Sequence, residues 1–121
     1  MSAHIEIHER PGVWVLQARG ELDYADRDPF RHHIERILSE RPRACIVDLS
    51  GIEYLDSSGL GLLLRLYREY TRSGGRLVLV ASPMVEGVLE ITRLDDLFTT
   101  ADDLVAALAS VNPEGTGRVA R

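Results

Sequence analysis

The 121 residues fit one compact domain, since single domains most often span roughly 100 to 150 residues, and 45% apolar with 27% charged residues is the composition of a globular chain, not a disordered one. Fourteen basic against nineteen acidic side chains leave a net charge of -5, so no overall basic field exists to attract nucleic acid or anionic lipid. All fourteen basic residues are Arg, and the absence of Lys excludes Schiff-base chemistry, a P-loop lysine and a protein-kinase lysine.

In chain order, Ile5 and Ile7 alternate with charged neighbours, Pro11-Gly12 makes a turn, and Val13 to Ala18 is a β-rich run with Trp14 and Leu16 on one face. This pattern predicts a hairpin. The N-terminus has no continuous apolar segment of the signal-peptide kind, and no run approaches the ~20 apolar residues of a membrane span, so a cytoplasmic location is expected. After Gly20 the period changes: Phe30, Ile34, Ile37 and Leu38 form a helical stripe, with Asp26 or Asp28 near its start and Pro29 in its first turn. That helix is expected to end near Glu40.

Arg43 to Leu49 reads as a buried strand containing the single Cys45, taken as a small core hydrophobe. Leu60 to Tyr70 reads as a helix stopped by Gly74-Gly75, and Leu77 to Ala81 as another buried strand. A shorter amphipathic segment follows Ser82-Pro83 through Val85, Val88, Leu89 and Ile91, and a short strand is expected at Leu97-Phe98. Thr100 and Asp103 have capping-box spacing ahead of a helix carrying Leu104, Val105 and Leu108. The domain is expected to occupy 1–111, and the Pro- and Gly-containing segment 112–121 to be a flexible C-terminal tail.

Strands alternating with helices need crossover connections, which predicts a single α/β domain: a mixed, mostly parallel sheet of four to five strands with about four helices. The carboxyl ends of parallel strands share one edge, where ligands and partners of open α/β sheets bind. Segments 20–26, 50–58 and 82–83 are expected to converge there.

The most distinctive stretch is Val47 to Gly61, joining strand to helix through Asp56-Ser57-Ser58-Gly59. Asp56, Ser57 and Ser58 are all good N-cap residues, so helix capping alone accounts for them. Gly59 and Gly61 fit close packing of the first turn, although each is a poor helix former by roughly 1 kcal/mol. A functional hydroxyl at the phosphate-favouring end of a helix is the competing account.

Asp56-Ser57-Ser58-Gly59-Leu60-Gly61, together with Gly20-Glu21-Leu22-Asp23, resembles the STAS domain family, specifically the bacterial anti-sigma factor antagonists. The similarity continues through Gly74-Gly75-Arg76-Leu77 and from Ser82-Pro83 to Phe98. It departs at Ala25-Asp26, near which the family often has Thr, and at Arg93, where it often has Gly. The resemblance implies a non-enzymatic, cofactor-free switch that binds a serine-kinase anti-sigma factor while unphosphorylated, releasing a sigma factor. Phosphorylation by that kinase ends the binding, and a serine phosphatase resets it. Ser57 matches the phosphoacceptor, with Ser58 as its helix-capping neighbour. Glu21, Asp23, Tyr24, Glu53, Asp56, Ser58 and Gly59 are the expected partner-binding residues. The alternative use of the same fold is an adaptor subunit of a lipid-transport or stress-sensing complex.

Other chemistry fits poorly. No Gly-x-Ser-x-Gly elbow is present and all four histidines precede position 34, which disfavours an esterase. His4 and His8 would lie ~13 Å apart on a strand, and His32 and His33 ~100° apart on a helix, so neither pair chelates one metal easily. Asp48 as a phosphoaspartate lacks the accompanying acidic pair and lysine. Trp14, Tyr54, Tyr67 and Tyr70 are expected to pack in the core, whereas Tyr24 suits an exposed interface anchor or core packing equally.

Overall fold

A computed structural model describes residues 3–111. The expected tail 112–121 lies outside the described residues. Strands β1 (His4–Arg10) and β2 (Val13–Leu22) form the hairpin, turned by Gly12 at φ +77°, where a side chain would be strained. A short 3-10 turn, Tyr24–Asp26, leads into α1 (Arg27–Glu40); β3 (Ala44–Leu55), α2 (Ser57–Arg72), β4 (Arg76–Ala81) and α3 (Pro83–Ile91) follow. A two-residue β5 (Thr99–Thr100) and α4 (Leu104–Val111) complete the described chain.

The five strands lie in sequence order, β1 antiparallel to β2 and every later neighbour parallel. The mixed sheet is therefore the one that the alternation of strand and helix demands. Trp14, Leu16, Cys45, Val47, Leu77 and Leu79 face α1, α2 and α3 in one core. On the other face, Val15, Ile46, Val78 and Val80 are covered by Ala107 and Val111 of α4. Burying each such aliphatic side chain stabilises the fold by about 1.5–3 kcal/mol before chain entropy is subtracted.

Several boundaries differ from the sequence reading for local reasons. β3 runs six residues beyond Leu49 because β2, lengthened by irregular register at Gln17/Arg19 and Gly20/Glu21, keeps pairing with it to Leu22↔Leu55. Gly20 takes φ +95° at the second irregularity, a bulge geometry that glycine allows. α2 begins at Ser57, three residues before the apolar stripe, because the cap residue and not the first leucine sets the helix start. The last strand is Thr99–Thr100 instead of Leu97-Phe98; Phe98 is buried and packs edge-on against Tyr67 at 5.0 Å. Thr100 and Asp103 make no capping box: Asp103 itself caps α4, accepting from the Ala106 amide at 2.8 Å.

Arg93, at the position where the resembled family often has Gly, retains the left-handed backbone with φ 61°. Cys45 is fully buried and its thiol is pushed up to about 12 by that burial, as suits an inert core residue.

Candidate functional site

The carboxyl ends of β2 and β3 meet where Leu22 pairs with Leu55. Immediately beyond, the Asp56 amide donates to the Leu22 carbonyl at 3.4 Å, tying the two strand ends together before α2 starts. Asp56 is the N-cap of α2. Its Oδ1 accepts from the amides of Ser58 at 3.0 Å and Gly59 at 3.1 Å, and from the Ser58 hydroxyl at 2.6 Å. Its Oδ2 accepts from the Tyr24 amide at 3.0 Å. One carboxylate therefore satisfies two orphan donors of the helix and fastens the loop after β2 to that helix.

These donors favour the ionised form. The Ser58 hydroxyl foremost, together with the amides of Gly59, Ser58 and Tyr24, holds the Asp56 carboxyl below its ordinary value and outweighs the opposing effect of burial. The expected role of Ser58 as a cap is corrected here: its hydroxyl donates to the capping carboxylate instead of accepting from the backbone. Ser57, by contrast, is exposed at the first helical position, and its hydroxyl makes no hydrogen bond among the described residues. The two adjacent serines thus differ sharply, one engaged and one available.

Gly59 is buried against the strand ends. A Cβ there would stand 2.7 Å from Leu55 Cδ1 and 3.1 Å from the Leu22 carbonyl oxygen, so only glycine lets the first turn of α2 sit this close. Gly61 is corrected: a Cβ there meets nothing within 4 Å, so close packing does not require it.

Around this helix start, Asp23 caps the 3-10 turn, its Oδ1 accepting from Ala25 at 3.0 Å. Tyr24 is 62% exposed, with the Arg27 guanidinium 4.0 Å over its ring, so it lies on the surface and not in the core. Glu21 is half-buried on β2 opposite Tyr54, and Glu53 is exposed on β3. Tyr54, expected to pack, is 46% exposed beside this edge, on the extension of β3 that pairs with the irregular end of β2, and no alternation in the sequence signals that. Segments 20–26 and 50–58 therefore meet. Segment 82–83 joins the beginning of 50–58, because Ala81 pairs with Leu49 and Ser82 follows beside Ser50, while β3 runs on past it to Leu55.

Asp48 is buried and fully engaged, accepting from the Gln17 side chain at 2.9 Å and from the Ser50 amide and hydroxyl at 3.0 and 2.7 Å. It is a structural acid. His4 and His8 both bond Glu6, at 2.7 and 3.1 Å, and no group of three metal-ligating side chains is assembled among the described residues. No helix of the described residues is long and apolar enough to cross a membrane.

The STAS domain family model matches residues 4–107. An anti-sigma F factor antagonist of Paenibacillus polymyxa is 29% identical over 113 residues, covering 92% of this chain and 97% of that protein. A STAS-domain containing protein of Pseudomonas aeruginosa is 36% identical over 86 residues, 69% of this chain and 83% of the relative. The crystal structure of an anti-sigma factor antagonist from Mycobacterium paratuberculosis superposes with a TM-score of 0.82 at 29% identity, covering 91% of this chain and 94% of that one.

Proposed function

The chain belongs to the STAS domain family, and from that premise we propose that it is an anti-sigma factor antagonist switched by phosphorylation of Ser57. Its partner on this reading is a serine-kinase anti-sigma factor, bound through Glu21, Asp23, Tyr24, Glu53, Asp56, Ser58 and Gly59 around the start of α2. A serine phosphatase restores the binding form. The names of the Paenibacillus and mycobacterial relatives support the antagonist role.

The observation that carries the site is the contrast between neighbouring hydroxyls: Ser57 exposed and unbonded among the described residues, Ser58 held by Asp56 at 2.6 Å. A phosphoryl acceptor must present its oxygen to an incoming γ-phosphate, and Ser57 does so without breaking a bond of the cap. The product would carry about -1.5 to -2 charges at a helix N-terminus, which the helix dipole tolerates, stabilising the phosphate by roughly 0.3 to 1 kcal/mol. A partner docked over that point would have to desolvate the new charge, a penalty of several kcal/mol, and each 1.4 kcal/mol is about tenfold in affinity. Binding is lost without refolding.

Peptide mapping by mass spectrometry of the protein isolated from its source cell tests the assignment. Phosphate on Ser57 and none on Ser58 is the expected result. Phosphate confined to Ser58 contradicts the site, and no phosphate under any growth condition turns the reading to an unmodified adaptor subunit of the same fold.

A further inference from the structure

Opposite the Ser57 edge, the sheet ends in a charged surface of the other sign. Because β2, β3 and β4 are parallel, their first residues gather at one pole, to which α1 and α2 also return. Register sets Arg10 opposite Val13, Val13 beside Ala44 and Ala44 beside Arg76, a row across four strands with arginine at each end. The Arg43 carbonyl accepts from the Arg76 amide at 3.2 Å, and the Arg43 Nε lies 3.6 Å from where a Cβ on Gly12 would stand. Arg41, the C-cap of α1, and Arg72, in the last turn of α2, line one cleft with Ser73, and Arg41 and Arg43 line the adjoining one.

All five of these arginines are exposed, and none is ion-paired among the described residues; the same holds for the scattered Arg19, Arg68 and Arg93, whereas Arg27, Arg31, Arg36 and Arg65 are paired, so what distinguishes the five is their gathering at one pole. Arg41 and Arg72 complement the negative ends of two helix dipoles. That explanation does not reach Arg10, Arg43 and Arg76, which sit on strands or a loop. In a chain of net charge -5, this is a concentrated basic pole; Glu69 lines the same cleft as Arg41 and Arg72 but is ion-paired to Arg65.

We propose that this arginine pole docks the acidic edge of a second copy of the chain, the edge that carries Asp23, Glu53 and Asp56, in a head-to-tail contact. The two surfaces are complementary in sign, and guanidinium forks suit carboxylates bidentately. They lie at opposite ends of β3, whose twelve residues span about 40 Å, so one molecule cannot satisfy both. The contact is heterologous and builds a ring or an open row instead of a two-fold dimer. Net negative charge repels whole copies, but at about 0.1 M salt screening within about 10 Å leaves direct contact pairs as the main electrostatic effect. Each contact covers the Ser57 edge of one copy, so self-association excludes any other use of that edge.

Sedimentation velocity over a concentration series tests this with the parent, a Arg43→Glu/Arg76→Glu double variant and a Glu53→Arg variant, each checked for folding by circular dichroism. The parent should gain mass with concentration at about 0.1 M salt and return to monomer at high salt. Each variant alone should associate at least about tenfold more weakly, and an equimolar mixture of the two should regain association through the restored opposite charges. A parent that stays monomeric, self-association unchanged in the double variant, or a mixture no stronger than its components overturns the proposal. Retention of duplex DNA by a monomeric parent would assign the pole to nucleic acid instead.

Discussion

Replacing Ser57 by Ala should leave stability within about 0.5 kcal/mol of the parent, because the helix cap is Asp56 and the Ser57 hydroxyl makes no bond among the described residues. Asp56→Ala should lower it by about 1–2 kcal/mol, losing two helix amides and the link to Tyr24. Urea unfolding of the two variants beside the parent checks both values. The pH dependence of the same carboxylate has a defined sign. Its folded pKa lies below the ordinary value of 3.8, chiefly through the Ser58 hydroxyl, so folding favours the ionised form. That stabilisation is complete above the unfolded pKa and is lost as pH falls through the folded one. The stability gap between the parent and Asp56→Asn should therefore be flat above about pH 5 and shrink below about pH 4, read from urea midpoints across that range. At this scale the sequence offered three candidate caps in a row, all with suitable oxygens. Only the extended backbone of Asp56, fixed by its amide on the Leu22 carbonyl, decides among them.

At the scale of elements, the first turn of α2 and the ends of β2 and β3 form one packed unit, and its two glycines make opposite predictions. Gly59→Ala should destabilise by about 1–3 kcal/mol, because its methyl would press on Leu55 and on the Leu22 carbonyl. Gly61→Ala, facing open space in the same helix, should stabilise by up to about 1 kcal/mol. Thermal or urea unfolding of the pair distinguishes packing from helix propensity directly. The helices α1 and α2 were legible because Phe30, Ile34 and Ile37, and Leu63, Leu66 and Tyr70, mark one face at helical spacing. The extension of β3 through Ser50 to Leu55 was not. Ser50, Gly51, Glu53 and Tyr54 are exposed and carry no strand alternation; their conformation is imposed by pairing with a β2 that bulges at Gly20.

For the whole molecule, the alternation of strand and helix made the parallel sheet legible, and parallel strands in turn brought 20–26 and 50–58 to one edge. That 82–83 meets only the beginning of 50–58, with β3 running on to Leu55, depends on strand length and register, which hydrophobic pattern does not encode. Net charge was legible as a number and silent about its distribution: the sum of -5 conceals an arginine pole facing away from an acidic edge. In the proposed switch, that acidic edge is a surface whose partner leaves when further negative charge arrives. Calorimetric titration of the serine-kinase anti-sigma factor with the unmodified protein, Ser57→Ala and Ser57→Asp, at one salt concentration, measures this most directly. Ser57→Ala should bind within about threefold of the unmodified protein and Ser57→Asp at least about tenfold more weakly. Equal affinity for all three would place Ser57 outside the interface and contradict the switch.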